Sequence, residues 1–220
     1  MVRWLFMQLF CLPRFLVSRL LCLVCASLLS SAASAGLFGY QATQSNDLKM
    51  FPQWPSVLER HIRDNVPEGQ CLTRKLDSCH VQRWQVFLNS LRKLPAIEQM
   101  RRVNEFANRQ AYILDIENYG MEDFWATPRQ FLYNNGDCED YAITKLLSLK
   151  QLGYDTSQMR IVILQDTNLR IAHAVLAVDY QGDTLILDNQ VPEVVSHRYV
   201  VHYVPIYSVN EQHWWMYLPN

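Results

Sequence analysis

Residues 134–153 read NNGDCEDYAITKLLSLKQLG, and this stretch decides the fold. Its first four residues form a turn signal, because Asn, Gly and Asp favour turn conformations. From Cys138 to about Leu152 the apolar residues recur with the spacing of a helix, and Gly153 stands where a helix commonly stops. The stretch therefore predicts a tight turn followed at once by a helix that begins at Cys138.

The sequence on either side of this helix predicts helices first and strands second. Apolar positions with helical spacing follow Trp54, Val81 and Pro95, and Thr127-Pro128 is typical of a cap with a first-turn proline. After Gly153 the apolar residues alternate, as in strands. The predicted strands are Met159 to Leu164, Ile171 to Tyr180, Thr184 to Asp188, Arg198 to Val204 and, at an edge of the sheet, Trp214 to Leu218.

This order favours an α+β fold in which N-terminal helices pack on a C-terminal antiparallel sheet. Half of the 220 residues are apolar and 19% are charged, a composition typical of globular proteins. The net charge of −1, without a basic cluster along one face, argues against a nucleic-acid partner. Residues 36–52 are polar and irregular, so we expect a loosely ordered arm there and a single domain over 53–220.

Residues 1–35 have the features of a secretory signal peptide. Three arginines precede or flank a short apolar segment from Leu20 to Leu29, and Ala33-Ser34-Ala35 provides a small-residue cleavage pattern. The apolar segment is shorter than the roughly 20 residues that a membrane-spanning helix needs. We therefore expect cleavage before Gly36 and export of the chain to the periplasm.

Removal of this segment would leave three cysteines, Cys71, Cys79 and Cys138. An odd count in an oxidising compartment raises the question of which thiol stays free. Cys71 and Cys79 are close enough in sequence to close a small loop, which would leave Cys138 unpaired. Three buried free thiols are the alternative, and both interpretations stay open.

Cys138 lies where a cysteine can become reactive. The first turn of a helix presents unpaired backbone N–H groups and the positive end of the helix dipole. Both lower the pKa of a thiol and favour the nucleophilic thiolate, and the same N–H groups can donate to an oxyanion. These features make Cys138 the candidate nucleophile.

A cysteine nucleophile also needs a base and a group that orients the base. His173 lies within an apolar strand, and Asp188 ends the next one. If Gln181-Gly182 is the two-residue loop of a hairpin, Asp188 becomes the diagonal neighbour of His173 on the same face. An odd number of loop residues would place them on opposite faces. The alternatives are a histidine satisfied within the core and an acid of the turn before Pro192.

Asp137, Glu139 and Asp140 surround the candidate nucleophile with negative charge. Acids at a helix start commonly interact with the helix dipole or cap the first turn. Their charge would nevertheless raise the pKa of Cys138, and a bound cation would cancel that field. Clustered carboxylates suit calcium, so capping and metal binding are both open.

Residues 135–145, preceded by Trp125-Ala126-Thr127-Pro128, resemble the bacterial transglutaminase-like cysteine peptidases, and among them the LapG-type periplasmic proteases that trim large surface adhesins. The segments His173-Ala174-Val175-Leu176 and Leu187-Asp188-Asn189 are similar to the histidine and aspartate segments of that family, in the same order. The similarity extends from about Trp54 to the C-terminus.

This resemblance implies a papain/transglutaminase-like α+β fold, a catalytic triad of Cys138, His173 and Asp188, and calcium held near the three acids named above. Family members cut an adhesin near its N-terminus and so release cells from a biofilm, and an inner-membrane receptor for cyclic di-GMP restrains them. We therefore expect an adhesin substrate, that receptor as a partner and calcium as the cofactor. The alternatives are a transglutaminase or a cell-wall peptide amidase with the same triad, and a non-catalytic binding module.

Overall fold

Apart from one N-terminal strand, helices come first and strands second along the chain. In a computed structural model, which describes residues 36–64 and 79–219, the helices are α1 (Gln53–Asp64), α2 (Cys79–Leu91), α3 (Ala96–Ala107), α4 (Asp115–Tyr119), α5 (Pro128–Asn134) and α6 (Cys138–Leu152). The strands are β1 (Gln41–Ser45), β2 (Met159–Asp166), β3 (Ile171–Tyr180), β4 (Asp183–Leu187), β5 (Val195–Ser196), β6 (Tyr203–Val209) and β7 (Trp214–Leu218). They belong to one compact unit, Ser34–Asn220.

The seven strands of the described residues form an antiparallel sheet in the order β1-β7-β6-β2-β3-β4-β5. Helix α6 joins the helices to this sheet, because it contacts β3 and β2 and also α2, α3 and α5. Its residues from Glu139 to Leu149 are all buried, as expected of a helix enclosed on every side. The predicted α+β fold, with the helix that begins at Cys138 packed on an antiparallel sheet, is confirmed. Within the described ranges no helix has both the length and the apolar character that crossing a membrane requires.

The hairpin of β3 and β4 has the two-residue loop that the sequence predicts. Tyr180 pairs with Asp183, and the loop residues Gln181 and Gly182 have φ values of 51° and 79°. Two central residues with positive φ are typical of a type I′ turn, whose twist matches that of the flanking strands. This loop sets which residues of β3 and of the segment after β4 meet.

The start of α5 and the end of α6 also lie where the sequence predicts them. The Thr127 hydroxyl accepts a hydrogen bond from the Gln130 N–H, and the Gln130 side chain accepts one from the Thr127 N–H, which is a capping box. Helix α6 ends at Gly153, whose φ of 100° lies in the left-handed region that glycine favours.

Three expectations about the sheet are wrong. Gln41–Ser45, within the expected loose arm of residues 36–52, forms β1 and pairs with β7, so β7 lies inside the sheet and not at its edge. Trp215 and Tyr217 of β7 are buried in one cluster with Ala42 of β1, and this burial holds β1 in place. The strand expected from Arg198 begins only at Tyr203, because a 3-10 turn occupies His197–Tyr199.

The described residues leave two expectations untested, the signal peptide and the pairing of Cys71 with Cys79. Residues 1–35 and Cys71 both lie outside the described residues. Cys79 is disulfide-bonded, whereas Cys138 is a free cysteine. Cys138 is therefore a free thiol, as a nucleophile must be.

Candidate active site

The turn before α6 has a conformation that depends on its sequence. Asn135 has a φ of 65°, which Asn tolerates better than most residues do. A Cβ atom at position 136 would overlap the carboxylate of Asp140, so the close approach of that side chain requires Gly136. This turn places Cys138 at the first position of α6.

Helix α6 places Cys138 against the strand that carries the candidate base. The helix packs on β3, and hydrogen bonding with the Ala174 backbone acts to lower the pKa of Cys138, which is half-buried. Because Ala174 follows His173 directly, the structure brings the candidate nucleophile and the candidate base to the same place. The two residues are separated by 35 positions in the sequence, so only the packing of α6 on β3 joins them.

His173 and Asp188 form the pair that the hairpin predicts. Nε2 of His173 lies 2.9 Å from Oδ1 of Asp188, and each side chain is 2% exposed. The Asp188 carboxylate also accepts hydrogen bonds from the Tyr203 hydroxyl at 2.5 Å and from the Gln190 backbone N–H at 2.9 Å. Burial alone would raise the pKa of Asp188, but these three hydrogen bonds outweigh it and hold that pKa below its ordinary value.

This arrangement defines the roles that the two ring nitrogens of His173 can play. An ionised Asp188 accepts from Nε2, which favours the tautomer that carries its proton there. Nδ1, which lies 3.5 Å from Nε2 of Gln190, is then the nitrogen that can take up a proton. The ring is therefore oriented as a general base requires.

The charges around Cys138 oppose the formation of a thiolate. Burial, followed by the charges of Glu139 and Asp137, raises the pKa of Cys138 well above its ordinary value. Oε2 of Glu139 lies 3.3 Å from Sγ. Burial and the charges of these acids therefore outweigh the lowering effect expected from the N-terminus of α6, as the acids beside Cys138 predict.

Asp137 and Asp140 belong to a buried cluster that also contains Asp115, the first residue of α4. One carboxylate oxygen of each lies within 4.8 Å of the corresponding oxygens of the other two. Asp137 makes no side-chain capping bond to α6, so the capping interpretation does not hold for this residue. Oδ1 of Asp115, Oδ1 of Asp137 and Oδ2 of Asp140 are buried and lack hydrogen-bond partners.

Backbone groups hold two of these carboxylates in place. The Phe124 N–H donates to Oδ2 of Asp115 at 2.5 Å, and the Ala126 N–H donates to Oδ1 of Asp140 at 2.6 Å. Asp115 and Asp140 thus each keep one carboxylate oxygen that accepts no hydrogen bond. Buried carboxylate oxygens without partners are costly unless a cation lies among them. Several oxygens at fixed positions suit a hard cation such as calcium, so the residues fit the metal that the resemblance implies.

Glu139 lies in a second group, with Asp115 and Asp123. Burial, together with a hydrogen bond to Asp137 and the charges of Asp137 and Asp140, raises the pKa of Glu139 to about 10. Burial also raises the pKa of Asp115 to about 6. The predicted metal ligands Asp137, Glu139 and Asp140 are thus neighbours, but Asp115 is the acid that both groups share.

Sequence reasoning missed Tyr112, Asp115 and Asp123, which all lie before α5, the helix that precedes the nucleophile motif. Asp115 stands 22 positions before Asp137, and nothing in the local sequence connects the two. Burial, followed by the charge of Cys138, raises the pKa of Tyr112 above its ordinary value, so the two side chains interact. An exposed aromatic residue gives no sequence signal for such an interaction, because it depends on long-range packing.

A buried lysine near the triad was also missed as a site residue. Lys145 of α6 is completely buried, and its Nζ has no hydrogen-bond partner and lies 5.8 Å from the centre of the Tyr141 ring. Burial lowers the pKa of Lys145 to about 7, although the charge of Asp188 acts in the opposite direction. A positive charge near Asp188 would favour the ionised carboxylate.

Comparison with known proteins agrees with this geometry. The sequence model of the bacterial transglutaminase-like cysteine proteinases (BTLCP) matches residues 70–220, which is more than half of the chain. LapG from Legionella pneumophila is 28% identical in sequence and superposes with a TM-score of 0.58 over 73% of this chain and 87% of LapG. The calcium-bound form of that protein gives the same values, and the EGTA-treated form differs only in that 84% of it is covered. A search of curated proteins finds no match. On these grounds the chain belongs to the bacterial transglutaminase-like cysteine proteinases.

Proposed function

We propose that the chain is a calcium-dependent cysteine endopeptidase in which Cys138 is the nucleophile, His173 the base and Asp188 the group that orients the base. The proposal rests on one arrangement: α6, which begins at Cys138, packs on β3, and His173 of β3 is hydrogen-bonded to Asp188 at 2.9 Å. Membership of a cysteine proteinase family supports the same chemistry.

The proposed reaction begins with transfer of the Cys138 thiol proton to Nδ1 of His173. The sulfur attacks the carbonyl carbon of the peptide, and the electron pair of the C=O bond moves to the oxygen, to which backbone N–H groups at the start of α6 can donate. Asp188 stabilises the imidazolium. The C–N bond then breaks as His173 gives its proton to the leaving amine, and a water molecule activated by His173 releases the acyl group from Cys138.

Calcium fits the acid cluster beside the nucleophile. Asp115, Asp137 and Asp140 would hold the ion through carboxylate oxygens that are buried and otherwise unpartnered, with Glu139 adjacent. A bound calcium ion supplies positive charge, which lowers the pKa of neighbouring acids and of the Cys138 thiol. The calcium-bound and EGTA-treated forms of Legionella pneumophila LapG support this assignment.

The proposed substrate is the N-terminal region of a large surface adhesin, and the proposed setting is the periplasm. The similarity to LapG supports this choice, and the signal-peptide features of residues 1–35 are consistent with export. An inner-membrane receptor for cyclic di-GMP is the proposed regulatory partner, so cleavage would promote the release of cells from a biofilm.

The test is cleavage of the N-terminal region of a co-encoded adhesin by purified residues 36–220, in EGTA and again after calcium is restored. We expect cleavage that EGTA abolishes and calcium restores, and no cleavage by Cys138→Ala. Cleavage by Cys138→Ala at the wild-type rate would rule out the proposed nucleophile. Incorporation of a lysine amine without cleavage would favour a transglutaminase, and release of peptides from cell-wall fragments would favour an amidase.

A further inference from the structure

We propose that Tyr203 is a positioning residue of the triad, and that the N-terminal turn formed by residues 37–40 holds Tyr203 in place. Tyr203 fixes the carboxylate of Asp188 and, through it, the ring of His173. This inference rests on the peptidase function proposed above and adds a support to its active site. The family model begins its match at residue 70, so the N-terminal turn lies outside the part of the chain that this model covers.

The hydroxyl of Tyr203 completes the hydrogen bonding of the Asp188 carboxylate. It donates to Oδ2 at 2.5 Å. The other oxygen, Oδ1, accepts from the Gln190 N–H and lies 2.9 Å from Nε2 of His173. Tyr203 and Asp188 are both buried, so water competes little for these bonds. With a donor on each oxygen, the carboxylate cannot rotate without breaking a hydrogen bond.

Tyr203 reaches the triad from a separate part of the sheet. It is the first residue of β6, and β2 and β3 lie between β6 and β4. Its ring also lies beside the base, because the ring centres of Tyr203 and His173 are 5.8 Å apart. One side chain thus contacts both members of the His173–Asp188 pair, so its position determines how the pair is oriented.

The N-terminal turn packs on the ring of Tyr203. Leu37 and Tyr40 exchange backbone hydrogen bonds of 3.1 and 2.9 Å, and Leu37 is completely buried. At the tip of the turn, the ring of Phe38 meets that of Tyr203 edge-on, with centres 5.6 Å apart and planes at 90°. The Phe38 N–H donates to Nδ1 of His197 at 3.1 Å, which anchors the turn to the segment before β6. The turn therefore restricts the ring whose hydroxyl holds Asp188.

Loss of the Tyr203 hydroxyl should affect turnover more than binding. Without it, Oδ2 of Asp188 becomes a buried oxygen without a donor, and the carboxylate can rotate away from His173. A misplaced base slows proton transfer and leaves the peptide-binding surface unchanged, so kcat should fall while KM stays nearly constant.

The same change should alter the dependence of kcat on pH. The hydrogen bond from Tyr203 favours the ionised form of Asp188, so the pKa of Asp188 should rise when the hydroxyl is removed. Besides Tyr203, Asp188 faces the ring of His173 on β3 and the charge of Lys145 on α6, and both remain in Tyr203→Phe. As the pH falls, Asp188 of the variant is protonated earlier, so the acid limb of kcat should move to higher pH.

The experiment compares Tyr203→Phe with Tyr217→Phe. Tyr217 is buried in the same apolar cluster, and its hydroxyl also has a partner, Ser208 at 2.9 Å. In calcium we measure kcat and KM of adhesin cleavage across pH, and the NMR signal of the His173 Nε2 proton, which needs no substrate. We expect Tyr203→Phe to lower kcat by about 10- to 10²-fold with KM nearly unchanged, to move the acid limb upwards and to shift or broaden the proton signal. Tyr217→Phe should match the wild type in every respect.

A double-mutant cycle tests the N-terminal turn. Phe38→Ala removes the ring that packs on Tyr203 and keeps the hydroxyl, so we expect a smaller loss of kcat than in Tyr203→Phe. If the turn acts through Tyr203, Phe38→Ala should cost no further kcat in the Tyr203→Phe background. Phe87→Ala, which removes a half-buried ring stacked on Phe106 of α3, should leave kcat unchanged. Circular dichroism checks that each variant is folded, and Phe38→Leu replaces Phe38→Ala if the latter is not.

Several results would overturn the inference. Wild-type kcat with an unchanged acid limb in Tyr203→Phe would show that its hydroxyl does not position Asp188. A His173 proton signal that ignores Tyr203→Phe, or equal effects of Tyr203→Phe and Tyr217→Phe, would have the same meaning. Fully additive losses in the double variant would exclude the N-terminal turn. Failure of the wild-type protein to cleave the adhesin, with a proton signal that still depends on Tyr203, would instead count against the proposed substrate and leave the positioning role supported.

Discussion

Replacement of Asp140 by Asn should stabilise the protein in chelator and remove most of its response to calcium. Asp140 is completely buried, and its Oδ2 has no hydrogen-bond partner, whereas Oδ1 accepts from the Ala126 N–H. An Asn side chain can keep the bond to Ala126 through its own oxygen. Its NH₂ group can donate to a neighbouring carboxylate of Asp115 or Asp137, whereas the ionised carboxylate of Asp140 can only repel these two groups.

The separation of the acids sets the size of the effect. Two ionised carboxylates within 4.8 Å repel by about 3 kcal/mol at an effective dielectric constant of roughly 20. Asp140→Asn removes up to two such pairs. Burial raises the pKa of Asp140 well above its ordinary value and that of Asp115 to about 6, so part of the repulsion is already relieved by bound protons near neutral pH. We therefore expect Asp140→Asn to raise the free energy of unfolding in chelator by about 1–3 kcal/mol, which corresponds to about 3–10 °C in Tm.

The assay is thermal unfolding followed by circular dichroism at pH 7, in EGTA and across a calcium titration. Calcium at about 100 times its Kd should stabilise the wild-type protein by about 2.7 kcal/mol, and Asp140→Asn should lose most of this increment. Glu193→Gln, at an exposed position in the loop after β4, makes the same change in net charge and should alter neither value. A variant that is less stable than the wild type in EGTA, or that keeps the full calcium response, would refute this reasoning.

Three further predictions concern neighbouring residues. Asp188→Asn removes the charge that stabilises the His173 imidazolium and should lower kcat by about 10²–10⁴-fold with the circular dichroism spectrum unchanged, so an undiminished rate would exclude Asp188 from the mechanism. Burial lowers the pKa of Lys145 from 10.5 to about 7. The cost of burying the charged amine therefore destabilises the fold in full below pH 7, and this cost disappears as the pH rises towards 10.5. In denaturant titrations, Lys145→Met should therefore raise the free energy of unfolding by up to about 5 kcal/mol at pH 7 and by progressively less towards pH 10. An increase that does not depend on pH would contradict this cause. Gly136→Ala should destabilise the protein by about 1–3 kcal/mol in EGTA through overlap with Asp140, and an unchanged Tm would show that the turn has room for a methyl group.

Local sequence signals predicted the elements that carry the candidate triad. The turn residues before Cys138 mark the start of α6, since Gly136 and Asn135 meet conformational requirements that few residues can meet. The Gln181-Gly182 loop fixes the register of the hairpin, and this register places Asp188 beside His173. Both signals depend on short-range backbone geometry, which a single sequence records well.

The missing parts of the site depend on long-range packing. Tyr112 and Asp115 reach the site because residues 111–113 pair with the turn before Cys138, an interaction across more than twenty positions that no periodicity encodes. The position of β1 in the sheet also depends on long-range packing, because Gln41–Ser45 becomes a strand by pairing with β7, the last strand of the chain. Lys145 escaped notice because α6 is buried on all sides, so a polar residue on it has no exposed face to occupy.

The most direct test of the central claim is mass spectrometry of the protein quenched during turnover of a peptide substrate. We predict an adduct that adds the mass of the N-terminal product fragment less one water, carried as a thioester on Cys138, and the C-terminal fragment released with a free amine. The adduct should be absent from Cys138→Ala and should accumulate less in Asp188→Asn. Turnover without any adduct on Cys138, or cleavage that persists in Cys138→Ala, would contradict the account.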